Sequence, residues 1–98
     1  MSGQGRENRS DALRILLAIQ IHLDAMRQGT SENGVVYATP DTAPIFCEMV
    51  VSGKSATITI YDFPVINQLV DILRGRGYPT SQPRVHELHL SWKITVSA

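Results

Sequence analysis

The sequence predicts an α+β domain, a two-layer α/β sandwich in the order α-β-β-β-α-β, with both helices on one face of a mostly antiparallel four-stranded sheet. Three observations carry that expectation. Apolar residues recur at helical spacing between Ser10 and Gly29 and again between Phe63 and Arg74. They alternate singly over Ile45–Val51, Ser55–Tyr61 and Val85–Val96, as half-buried strands require. Between these stretches stand turn-forming clusters rich in glycine, proline and asparagine.

Residues 1–9 read as a disordered polar tail, and residues 10–98 as one domain. Helix 1 is expected to start near Ser10, whose hydroxyl can accept from the free amides of a first turn, with Asp11 suited to the positive helix end. Gly29 tolerates the left-handed conformation that closes many helices. Asn33-Gly34 then marks a turn. Val35–Thr39 is the first expected strand, broken by Pro40 and Pro44, neither of which can donate to a ladder. Ile45–Val51 and Ser55–Tyr61 form a hairpin about Ser52-Gly53-Lys54, with Ile45, Cys47, Met49 and Val51 on the face shared with Ala56, Ile58 and Ile60.

Helix 2 is expected over Phe63–Arg74, capped by Asp62, with Pro64 tolerated in its first turn. Val65, Ile66, Leu69, Val70, Ile72 and Leu73 fall on its inner side. Val85–Val96 reads as one long last strand with Leu88, Leu90, Trp92, Ile94 and Val96 inward. A crossover through helix 2 would make it parallel to the third strand.

Composition narrows the function. The 98 residues carry nine basic and nine acidic side chains, so no whole-molecule field draws the chain to nucleic acid or to an anionic membrane. The C-terminal third is mildly basic, with Arg74, Arg76, Arg84 and Lys93 against Asp71 and Glu87. One cysteine cannot form an intrachain disulfide, which argues against a stapled secreted scaffold. Met1–Ser10 is too polar for a signal peptide, and Ala12–Met26 is broken by Arg14, Gln20, His22 and Asp24. A cytoplasmic protein with no membrane partner is expected.

Catalytic and metal-binding patterns are sparse. Cys47 alternates with Ile45 and Met49, so it should point inward as a core residue. His86 and His89 are three apart on the expected strand and would face opposite ways, while His22 has no histidine or acidic partner four residues on. No cofactor is expected. A small enzyme would have to use His89 with Glu87 or Glu48, with nothing evident to supply a nucleophile.

The run Arg74-Gly75-Arg76-Gly77-Tyr78 could grip a phosphate backbone and stack a base, with Arg84 nearby. The plainer reading, which five residues of low specificity favour, is a helix terminator, with Arg74 against the negative end of the helix dipole. The element order is similar to that of the double-stranded-RNA-binding domain. That family opens its second helix with a lysine cluster, however, where this chain has Phe63-Pro64-Val65-Ile66-Asn67.

Two surfaces look adhesive. On helix 1, Ile15, Leu16, Ile19, Leu23 and Met26 form one apolar stripe, and Leu13, Leu17 and Ile21 form a second that needs another partner. On the outer sheet face, Phe46, Val50 and Tyr61 make a surface less polar than an open antiparallel sheet normally carries. The expectation is a non-enzymatic protein-interaction module, a small regulator, inhibitor or adaptor that forms a homodimer. Nucleic-acid binding through Arg74, Arg76, Tyr78 and Arg84 is the alternative.

Overall fold

The computed structural model describes residues 2–37, 46–86 and 91–98. Seven elements follow in order: α1 (Ser2–Gln28), β1 (Gly34–Tyr37), β2 (Cys47–Ser52), β3 (Ser55–Ile60), α2 (Phe63–Gly75), β4 (Arg84–His86) and β5 (Ser91–Ser97). The strands form one antiparallel sheet in the order β1-β2-β3-β5-β4. The α+β class and the two-layer arrangement are as the sequence predicts, but the sheet has five strands instead of four.

The fifth strand comes from the expected last strand, which is two strands paired antiparallel as a hairpin. β5, not a parallel continuation, lies against β3, and it runs antiparallel to it. Single alternation is blind to such a reversal. In the hairpin Val85 pairs with Trp92 and so takes the inner side, where a single strand would have turned it outward. Ala38, Thr39, Ile45, Leu88 and Leu90, also expected in strands, lie outside the described residues.

Helix α1 starts at Ser2, eight residues before the expected cap at Ser10. From Asn8 onward its first buried apolar residue is Ala12. Both helices end alike. The Thr30 amide donates to the Ala25 carbonyl at 2.8 Å, and the Tyr78 amide to the Leu73 carbonyl at 3.0 Å. Each reversal turns on a glycine in the left-handed region, Gly29 at φ 78° and Gly77 at φ 87°. This is the glycine-closed helix end in which the amide just after the left-handed glycine satisfies an otherwise orphaned carbonyl of the last turn.

The start of α2 is held as expected, with the Val65 amide donating to Asp62 Oδ1 at 3.2 Å. The β2–β3 turn is tied to the α1–β1 connection. The Gly53 amide donates to Asn33 Oδ1 at 2.8 Å, and Ser31 Oγ donates to the Gly53 carbonyl at 3.0 Å. These bonds seat β1 beside β2.

One apolar core lies between the layers. Ile15, Ile19, Leu23 and Met26 of α1 meet Val65, Ile66, Leu69 and Leu73 of α2 and the inner sheet residues Met49, Ile58, Ile60 and Ile94. Leu17, on the same helix, is 77% exposed. Ile19→Ala should therefore lower stability by about 2–5 kcal/mol through the lost side chain and the cavity left behind. Leu17→Ala should stay within about 0.5 kcal/mol at concentrations low enough to keep the chain dispersed. Urea midpoints at constant m-value measure both.

Candidate functional site

The cross-strand register sorts the sheet into two faces. Val35 lies opposite Val50, and Val50 opposite Thr57. Thr57 in turn faces Thr95. A second row runs Tyr37, Glu48, Thr59, Lys93, Arg84. Both helices contribute to the core on the other face, so these rows form the open one.

At one end of that face, three aromatic rings adjoin. Phe46 lies 5.6 Å from Tyr37 and 6.2 Å from Tyr61 between ring centroids, both pairs tilted. These are the spacings at which aromatic rings attract edge to face. Tyr37, Phe46 and Tyr61 are nevertheless 66%, 42% and 54% exposed, and Val35 and Val50 beside them are exposed as well. The other end is polar and basic. Lys93 and Arg84 stand directly opposite each other, a like-charge pairing that is unfavourable without a counter-charge. Among the described residues no carboxylate forms an ion pair with either, and Arg84 Nη2 donates to Thr95 Oγ1 at 3.0 Å.

The sequence reading anticipates Phe46, Val50 and Tyr61 on this surface but not Val35 or Tyr37. Tyr37 enters because β1 pairs with β2 in the register that puts it opposite Glu48, diagonal to Phe46. The outward parity of Phe46 was the available signal, but the register of β1 is set by the Asn33–Gly53 contact, which residue spacing does not reveal.

The expected second stripe of α1 divides. Leu13 packs against the core and is half-buried. Leu17 and Ile21 do not. At 77% and 70% exposure they are the most exposed large apolar side chains among the described residues. At about 100° per residue they project roughly opposite Ile15, Ile19 and Met26, away from the core. A cleft of about 390 Å³ flanks Ile21, between α1 and the start of β1, lined also by His22, Ala25, Val35 and Val36.

The Arg74–Tyr78 run is engaged internally. Tyr78 is 3% exposed. The Arg27 guanidinium stacks 4.2 Å above its ring centroid, and Gln20 Nε2 donates to its hydroxyl at 3.2 Å. Arg74 Nε and Nη2 donate to the Thr80 carbonyl at 3.1 and 2.9 Å. The nucleic-acid alternative needs Tyr78 as an exposed stacking surface. The left-handed turn at Gly77 instead folds it back over the end of α1. Arg76 is exposed, while its amide donates to the Ile72 and Leu73 carbonyls.

Cys47 is buried on the inner face, as the alternation predicts. Burial pushes its thiol from 9.0 up to about 12, with Glu48 adding a smaller push in the same direction. Glu48 is half-buried on the open face, and Glu87 and His89 lie outside the described residues. Among the described residues no group of three or more His, Cys, Asp or Glu side chains is arranged to hold a metal ion, and no helix is long and apolar enough to cross a membrane. No family model matches the chain, and no curated protein or solved structure matches it.

The Cys47 geometry makes a pH prediction. The folded chain keeps its proton to higher pH than the unfolded chain, so the stabilisation is intact below 9.0 and is lost as pH rises toward 12. The Cys47 component of that loss approaches about 1.4 kcal/mol per pH unit and should vanish in Cys47→Ala. At pH 8 the native thiol should react with an alkylating reagent at least about tenfold more slowly than in denaturant.

Proposed function

We propose that this chain is a non-enzymatic protein-interaction module, a small regulator or adaptor that self-associates and presents its open sheet face to a protein partner. The observation that carries this reading is the exposed aromatic run Tyr37–Phe46–Tyr61, flanked by Val35 and Val50. Aromatic residues are enriched at protein interfaces, and they contribute most where they gather at a centre that can be dried on contact.

The same face suggests the partner's chemistry. Its aromatic end suits an apolar segment, and its Lys93–Arg84 end suits acidic side chains next to that segment. A partner carboxylate would relieve the like-charge opposition on the sheet. The reading therefore names a protein segment with an apolar centre and an acidic flank. Nucleic-acid binding has less support, because Tyr78 is covered and Arg74 is bonded to its own chain.

Site-specific photocrosslinking in cells tests the proposal. A photoreactive phenylalanine analogue at Phe46 should give a discrete protein adduct, and the same analogue at Asn67, exposed on α2, should not. Tyr37→Asp and Tyr61→Asp together should abolish the adduct without unfolding the chain, and Lys93→Glu should weaken it at least about tenfold at low salt. No adduct at Phe46, or one that survives the paired aspartates, would refute the reading.

A further inference from the structure

We infer that Leu17 and Ile21 are covered by the same helix of a second copy of this chain, packed antiparallel so that Arg14 of each copy meets Asp24 of the other. This rests on the self-association proposed above and supplies its surface and register.

The argument begins with spacing. Ser10, Arg14, Leu17, Ile21, Asp24 and Gln28 follow one another at intervals of four, three, four, three and four residues. That is the repeat along which two helices meet in a left-handed seam. All six lie within α1, and the four from Arg14 to Asp24 are exposed. Small Ala18 and Ala25 border the seam and allow close approach.

The order of residues along the seam selects the orientation. It reads polar, basic, apolar, apolar, acidic, polar. A parallel copy would set Arg14 against Arg14 and Asp24 against Asp24. An antiparallel copy centred between Leu17 and Ile21 sets Leu17 against Ile21 twice and Arg14 against Asp24 twice. Like charges opposed across an interface are penalised, and opposite ones fix its register. The intrachain contacts of these groups leave room for this pairing. Arg14 Nη1 donates to Asp11 Oδ1 at 3.1 Å, which leaves other guanidinium donors, and Asp24 accepts from Gln20 Nε2 through Oδ1 at 2.9 Å, which leaves Oδ2.

Among the described residues, no other element covers these two side chains. α2 shares the core with α1 on the opposite side, and Leu13, at the edge of the stripe, is drawn into that core. Charge complementarity and heptad spacing therefore coincide at an apolar stretch of α1 that the described residues leave wet.

Charge reversal in both positions tests the inference by sedimentation equilibrium and by mixing. The wild-type chain should dimerise reversibly. Arg14→Asp alone places two acids opposite each other and Asp24→Arg alone two arginines, so each should raise the dissociation constant at least tenfold. The double variant Arg14→Asp/Asp24→Arg should return to within about threefold of wild type. Equimolar mixing of the two single variants should yield the heterodimer, which also proves that both are folded. A wild-type dimer indifferent to these changes would overturn the register while leaving self-association standing. A wild-type monomer at millimolar concentration would overturn both, and a Phe46 adduct in the same preparation would still support the partner site.

Discussion

The packing of α1 and α2 onto one face of the sheet is the constraint on which the rest of the molecule depends. A two-layer domain has a single interior. It lies here between Ile15, Ile19, Leu23 and Met26 on one side and Met49, Ile58, Ile60 and Ile94 on the other, with α2 closing the flank. That interior draws in one side of the sheet and one side of each helix. Anything apolar on the remaining sides stays in water, and leaving a large aliphatic side chain exposed forgoes about 1.5–3 kcal/mol that burial would provide. Leu17 and Ile21 on one side, and Tyr37, Phe46 and Tyr61 on the other, are what this architecture leaves uncovered. A third exposed pair, Phe63 and Val85, lies near the β4 edge, where Phe63 already stacks on Trp92 at 4.4 Å.

Local chemistry made much of the fold legible in the residues. The Asp62 cap, the Gly53 turn and the two apolar periods each depend on neighbours within a few positions, and each stands where the pattern places it. What was hidden depends on longer connections. The β4–β5 reversal does not interrupt the run of alternating residues, and Val85 changes faces only because of the pairing. The covering of Tyr78 follows from a glycine turn that brings the ring under Arg27, a residue 51 positions earlier (78 − 27). The second stripe of α1 was visible as one surface, but only three-dimensional packing separates Leu13 from Leu17 and Ile21.

The two open surfaces face opposite ways, one on the helix layer and one on the bare side of the sheet. A dimer formed through α1 would therefore leave both aromatic sheet faces free, and the assembly would be bivalent. Two modest contacts held in one assembly bind far more tightly than either alone when the geometry permits both. Electrostatics follow the same division. The α1 seam carries one charge of each sign and is self-complementary, whereas the sheet face has its basic pair at one end and calls for a partner of another kind.

The most direct test of this account is an isotope-filtered nuclear Overhauser experiment on an equal mixture of carbon-13-labelled and unlabelled chains. The account predicts intermolecular cross-peaks between the Leu17 and Ile21 methyl groups, while Ile15 and Ile19 show contacts only within their own chain. Intermolecular peaks confined to other residues, or none at concentrations where the chain sediments as a dimer, would contradict it.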